Sequence, residues 1–139
     1  MRLQIVARGR IGRGPEAELV ERYLKRIGWP VAVYELGDSA PFPPAPPSSV
    51  TVALDETGAP WRSADLAAKL GAWRDEGVRE ARFLLGAADG LSPGERDGAD
   101  HRLSFGAATW PHLLARAMLA EQLYRATAIL AGHPYHREG

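Results

Sequence analysis

Apolar residues along this chain change period several times, and the changes mark out its elements. Leu3, Ile5 and Val6 form a short apolar run ending at Gly9, which predicts a strand and then a loop through Gly12. Pro15 suits the first turn of a helix whose Leu19, Val20, Tyr23, Leu24 and Ile27 share a face, stopped by Gly28 and Pro30. Val31 to Leu36 reads as a second strand. Pro41, Pro43, Pro44, Pro46 and Pro47 then remove backbone donors and predict an extended loop over residues 37–49. Val50, Val52 and Leu54 alternate as a third strand, turning at Asp55 to Gly58. Ser63 is placed to cap a helix carrying Leu66, Leu70 and Trp73 in register, ended by Gly77. Ala81 to Leu85 is a fourth strand, broken at Gly86 to Gly90. Ser92 and Glu95 have capping-box spacing, with Gly94 and Gly98 limiting the helix to one turn. A fifth strand around Arg102 to Phe105 leads to a last helix of about 20 residues between Pro111 and Gly132. This order predicts a single α/β domain over residues 1–139, with a mostly parallel sheet flanked by helices.

The last helix is apolar nearly all round. Leu119, Leu123, Ala126 and Leu130 line one face, yet Leu114, Met118 and Ile129 lie on others. Such a helix is buried on more than one side, and a sheet covers only one. A homodimer built around this helix is therefore expected. Its polar members Glu121, Gln122, Tyr124 and Arg125 read as interface hydrogen bonds in preference to catalytic groups.

Composition narrows the setting. With no cysteine, disulfides and thiolate metal ligands are excluded, and a reducing cytosol suits the chain. No segment approaches a membrane span and the start lacks a signal-peptide run, so a cytoplasmic protein without membrane contact is expected. The formal net charge of zero hides a basic start, an acidic middle and a basic end. Arg2, Arg8, Arg10 and Arg13 precede any acid, and Arg102, Arg116, Arg125 and Arg137 mark the other end. Brought together they would form a cationic patch suited to phosphates; scattered solvated arginines are the plainer alternative.

Candidate chemistry concentrates in three strand-end loops and the tail. Asp55 to Gly58, Gly86 to Gly90 and Gly106 to Thr109 follow strands, where ligands of open α/β sheets bind, and their small residues let a flat ligand reach the backbone. The dinucleotide fingerprint and P-loop are absent, and no Ser-His-Asp arrangement is legible. His112, His133 and His136 lack the spacing of a helical zinc pair with a third ligand, so no metal is expected. The tail Tyr135-His136-Arg137 offers an imidazole that titrates near neutrality beside a phosphate-gripping guanidinium; a frayed terminus is the alternative.

The runs Leu103-Ser-Phe-Gly-Ala-Ala-Thr-Trp-Pro-His112, Arg116-Ala-Met-Leu-Ala-Glu-Gln-Leu-Tyr-Arg-Ala126 and His133-Pro-Tyr-His-Arg-Glu138 closely resemble the C-terminal signature of the RlmH family. Leu3-Gln-Ile-Val-Ala7, Leu54-Asp-Glu-Thr-Gly-Ala-Pro-Trp61 and Leu84-Leu-Gly-Ala-Ala-Asp-Gly-Leu-Ser-Pro93 extend the likeness over the chain. That family comprises small SPOUT methyltransferases acting on N3 of a pseudouridine in 23S ribosomal RNA. The resemblance implies a SPOUT-type α/β knot with a C-terminal trefoil knot, a homodimer, and 23S rRNA in its ribosomal context as partner. It implies an S-adenosylmethionine site on Leu54, Gly86, Ala87, Phe105, Gly106, Ala107, Ala108, Thr109 and Trp110.

Two positions depart from the family pattern. Ala87 stands where a second glycine is usual, and Phe105-Gly106 where Leu-Ser is usual. The stretch between the second and third strands is also short and proline-rich, without the basic residues many relatives carry there. Methyl transfer to N3 requires loss of an imide proton, for which His136 and His112 are the candidate bases. Arg137 or Arg116 would stabilise negative charge, and Arg8, Arg116, Tyr135 and Arg137 would contact RNA. The tail of one subunit is expected to complete the pocket of the other. The rival reading is a non-catalytic RNA-binding SPOUT protein whose cofactor binding is weakened at Ala87 and Gly106.

Overall fold

The computed structural model describes residues 1–137, so Glu138, the last residue of the C-terminal signature, lies outside the described residues. The elements run β1 (Arg2–Arg8), α1 (Pro15–Arg26), β2 (Val31–Leu36), β3 (Ser49–Ala59), α2 (Ser63–Asp75), β4 (Glu80–Leu85), α3 (Pro93–Gly98), β5 (His101–Leu103) and α4 (His112–Leu130). The five strands form one sheet in the order β2-β1-β4-β3-β5, and every pairing is parallel. Parallel strands need crossovers, and the helices predicted between β1 and β2 and between β3 and β4 supply two of them.

Alternation sorts the side chains of each strand onto two faces. Leu3, Ile5 and Ala7 of β1, Val52 of β3, and Ala81, Phe83 and Leu85 of β4 pack with Leu66 and Leu70 of α2 and Leu119, Leu123 and Ala126 of α4. On this face α4 lies between α1 and α2, meeting Val20 of α1 through Ala117 and Ala120. No residue of α4 is exposed. The helix is therefore covered on both flanks by its own chain, and its apolar periphery does not by itself require a second subunit. Three of the polar residues read as interface contacts are bonded within the chain: Gln122 accepts from the Ser63 hydroxyl at 2.6 Å, and Arg125 donates to Glu121.

The opposite face is partly polar and carries the proline-rich crossover from β2 to β3. Prolines leave carbonyls without neighbouring donors, and two buried arginines of the sheet serve those carbonyls. Arg8 donates from Nε to the Ala40 carbonyl at 2.9 Å and lies 4.2 Å from the Phe42 ring centre, while Arg82 donates to the Pro43 carbonyl and to the Thr51 hydroxyl. Burial pulls the Arg82 guanidinium below its usual pKa, against the opposing pull of Glu80 and Asp100.

Three local expectations are corrected. Ser63 does not cap α2; Arg62 precedes it with its backbone N–H donating to Asp65 Oδ2 at 2.8 Å. The segment after Ser92 extends beyond one turn, because Ser92 N donates to Glu95 Oε1 at 2.8 Å while Glu95 N donates back to Ser92 Oγ. Strand β3 does not turn at Asp55: Leu54 and Ala59 both pair with Leu103, and residues 55–58 bulge out between them. Gly58 makes the return possible, since a Cβ there would sit 2.7 Å from the Arg102 carbonyl carbon.

Leu119 is shut off from solvent between sheet and helices. Leu119→Ala is expected to lower unfolding free energy by about 3 kcal/mol, measured by urea denaturation with an unchanged slope.

Candidate active site

The carboxyl ends of β4, β3 and β5 open on one edge of the sheet, the edge where parallel α/β folds bind ligands. A cleft of about 240 Å³ lies there, built from the β3 bulge, the loop after β4 and the loop after β5. Each of the three is held by its own short-range bonds.

In the bulge, Thr57 donates its backbone N–H to Asp55 Oδ2 at 3.1 Å, and Arg96 stands 3.5 Å from the same carboxylate. Burial opposes ionisation of Asp55, yet the Thr57 bonds and Arg96 keep its pKa below the usual value. After β4, Gly86 abuts Gly90 so closely that a Cβ on Gly86 would lie 2.4 Å from the Gly90 carbonyl carbon, and Gly90 has φ of +75°. Both glycines are demanded by the turn. Ala87 pairs with Gly90 in an isolated bridge, its carbonyl accepting from Gly90 N at 2.9 Å. Among the described residues the one non-glycine at positive φ is Ser48, so the methyl of Ala87 sits on ordinary backbone. After β5, the buried Ser104 hydroxyl donates to the Gly106 carbonyl at 2.7 Å and accepts from its N–H at 3.0 Å. Gly106 has φ of +107°, which a side chain would strain, so this departure from the family pattern is matched to its loop. Trp110 closes the loop by donating from Nε1 to the Phe105 carbonyl, and Thr109 bonds Glu56 Oε2 at 2.8 Å, tying the third segment to the first.

The structure thus gathers the sequence-assigned positions Leu54, Gly86, Ala87, Phe105, Gly106, Ala108, Thr109 and Trp110 around one cleft; Ala107 is exposed and outside its lining. His112 and Ala115 of α4 complete the wall. Leu91 and Arg96 also line it and were missed from the sequence. Their signal was the Ser92–Glu95 capping box, which starts a helix that brings Arg96 back toward Asp55.

Other expected residues are placed elsewhere. Arg116 is 1% exposed and bound to Glu35, with Nη2 also donating to the Gly9 carbonyl at 2.9 Å. Arg8 is buried too, its guanidinium paired two-pronged with Glu95. Neither is offered to an RNA phosphate, because both are engaged inside the fold. The tail folds back on α4: Tyr135 donates to Glu121 Oε1 at 3.0 Å and stacks obliquely on Tyr124, and Arg125 Nη1 lies 3.1 Å from His136 Nδ1. Burial and the Glu121 carboxylate push the Tyr135 hydroxyl up to about 12. Arg137 is exposed. His112 begins α4, whereas His136 lies against Arg125, 13 residues and about 20 Å of helix rise further along. One chain therefore presents His112 to the cleft and not His136. Among the described residues no group of three or more potential metal-ligating side chains clusters, and no helix is long and apolar enough to cross a membrane.

The family model described as "Predicted SPOUT methyltransferase" matches residues 39–136. A protein of Zymomonas mobilis named "Ribosomal RNA large subunit methyltransferase H" is 66% identical over 142 residues, covering all of both chains. A protein of the same name from Rhizorhabdus wittichii is 66% identical over 140 residues, again covering both completely. Among solved structures, a probable methyltransferase from Bordetella pertussis superposes with a TM-score of 0.61 at 15% identity, covering 91% of this chain and 96% of that one. This last likeness speaks to the fold.

The Arg8 guanidinium, ahead of the opposing effect of burial, holds the Glu95 carboxyl down at about 2. A carboxyl depressed on folding stabilises above its unfolded pKa and ceases to as pH falls through the folded one. Glu95→Gln is expected to cost on the order of 3 kcal/mol at pH 7, the gap to the unaltered protein narrowing from about pH 4.5 down to about pH 2 in denaturant titrations.

Proposed function

The chain belongs to the SPOUT methyltransferase family, and from that premise we propose that it methylates N3 of a pseudouridine in 23S ribosomal RNA with S-adenosylmethionine as donor. The observation that carries the reading is the convergence of the three strand-end loops on one cleft whose lining takes in all but one of the positions the family resemblance assigns to the cofactor. The near-identical length of relatives named as large-subunit ribosomal RNA methyltransferases supports the same substrate.

The cleft suits a cationic donor. Asp55, Glu56 and Asp89 bring three carboxylates to its lining against Arg96 alone, while Leu54, Leu85 and Leu103 give apolar walls. Gly86, Gly90 and Gly106 let the backbone approach where side chains would intrude. When bound, S-adenosylmethionine supplies a methyl group already activated on a sulfonium sulfur. The chain's part is to orient donor and acceptor, keep water out and manage one proton. Bound there, S-adenosylmethionine would supply the methyl for N3, and His112 in the cleft wall would take up on an imidazole nitrogen the imide proton that N3 gives up. The Ala87 backbone is unstrained, so nothing there favours a cofactor-free RNA-binding protein.

The homodimer, the trefoil knot around α4 and a cytoplasmic location belong to the same proposal. Leu114 and Met118 are half-buried on the outward strip of α4 and belong to neither core cluster, which supports a second subunit resting there. In such a pair the tail of one chain, with His136 and Arg137, would reach the cleft of the other; light scattering at micromolar concentration should give twice the chain mass.

Incubation with S-adenosylmethionine and unmethylated large ribosomal subunits should add one methyl group to a pseudouridine, read by mass spectrometry of RNA fragments; absence of saturable donor binding would overturn the reading. His112→Ala should slow transfer by about 10²-fold or more while leaving donor affinity within a few-fold, as removal of a general base does.

A further inference from the structure

We propose that the loop between β1 and α1, residues 9–14, is the phosphate-gripping surface at the mouth of the cleft, with Arg10 and Arg13 as its contacts; this rests on the reading of the chain as a ribosomal RNA methyltransferase. Arg8 is paired with Glu95, Arg96 with Asp55, Arg102 with Asp97, Arg116 with Glu35 and Arg125 with Glu121. Arg10 and Arg13 are exposed and form no ion pair with a carboxylate among the described residues. Arg2, the remaining member of the N-terminal group, sits at the other end of β1 near Glu80.

The loop carrying these two exposed guanidinium groups is fixed beside the cleft, with Arg10 near enough to Glu35 to favour its ionised form. Its first residue, Gly9, donates to the Leu36 carbonyl at 2.8 Å and accepts from Arg116 at 2.9 Å. Ile11 N donates to Glu35 Oε2 at 2.8 Å, on the same carboxylate that pairs with Arg116. A Cβ on Gly9 would lie 3.8 Å from His112 Nε2, so the loop passes beside the imidazole that lines the cleft. Gly9 at φ +89° and Gly12 at φ +69° give the turn its course.

Such a loop holds cations in place against an anionic backbone, while the carboxylates inside the cleft would repel that backbone. RNA is thereby admitted at the rim, its phosphates on Arg10 and Arg13 and one base directed past His112. Arg116, buried beneath, acts as a positioning residue for this loop. The proline-rich crossover offers no cation over residues 37–49, so the N-terminal loop takes up contacts that a basic stretch there would make.

The test compares the unaltered protein with Arg10→Ala/Arg13→Ala in equilibrium binding to large ribosomal subunits over a salt series, and in methylation kinetics. The variant should bind about tenfold more weakly, with a salt slope lower by roughly one to two, as loss of two phosphate contacts implies. Its KM for subunits should rise with kcat little changed, and donor binding, far-UV dichroism and thermal midpoint should match the unaltered protein. Arg22→Ala/Arg26→Ala, which removes the same charge from exposed positions along α1, should leave the salt slope near its original value. Equal binding and slope in the Arg10/Arg13 variant, or an equal loss in the α1 control, would overturn the loop proposal. Weakened, flatter binding by the variant in a protein that methylates nothing would support the loop and overturn the methyltransferase reading instead. Failure of the unaltered protein to bind subunits would sink both.

Discussion

Arg116 is the largest side chain wholly closed off from water, and the carboxyl edge of the sheet is organised around it. A buried guanidinium is tolerable only where its charge and its forked donors are answered. Here Glu35 at the end of β2 answers the charge and the carbonyl of Gly9, just past β1, takes a second bond, while the buried Nε has no hydrogen-bond partner among the described residues. One side chain of α4 thus fastens the helix to the ends of two adjacent strands. That attachment sets the depth of the N-terminal turn of α4, and with it the position of His112 in the cleft wall. Removing Glu35 would leave the Arg116 charge buried without its counterpart, which is far costlier than losing a surface pair.

Fixing α4 in this way has consequences along its length. With its start tied to β1 and β2 and its flanks closed by α1 and α2, its end carries the chain away from the cleft, and the last described residues lie back over Glu121 and Arg125. The aromatic series Tyr23, Tyr124 and Tyr135 packs this return against α1. Chemistry at the tail and chemistry at the cleft are therefore separated within one chain by the helix that joins them in sequence.

The elements were largely legible because hydrophobic period and glycine or proline punctuation agree over most of the chain; α4 was bracketed to within a residue by Pro111 and Gly132. The cleft was legible too, since small residues after strands point to the carboxyl edge of a parallel sheet whatever the strand order. What escaped was tertiary. That Leu54 and Ala59 share one partner on β5, and that Gly58 is needed for it, depends on a register that no local pattern encodes. The fates of Arg8 and Arg116 were hidden for a similar reason. Their partners Glu95 and Glu35 are 87 and 81 residues away, and an arginine in sequence looks the same whether it will meet a phosphate or a carboxylate of its own chain. The departure at Ala87 looked costly only while the backbone angle there was unknown.

Placement sorts the charges more sharply than composition does. Arginines at the carboxyl edge that point inward are matched to carboxylates and hold elements together, so they add little field outside. Carboxylates of the bulge and of the loop after β4 face the cleft, with Arg96 as their partial counterweight. Exposed guanidinium groups outside any close ion pair remain on the loop that Arg116 and Glu35 anchor, whose Gly9 runs beside His112. A net-neutral chain thus presents a negative interior beside a positive rim, an arrangement that separates a cationic small molecule from a polyanion over one short stretch of surface. Because the rim loop, the first turn of α4 and the end of β2 share the Arg116–Glu35 pair, that separation and the packing of the core rest on the same contact. Substitutions at the pair are therefore poor probes of charge alone, whereas the exposed arginines report on charge without disturbing the packing beneath them.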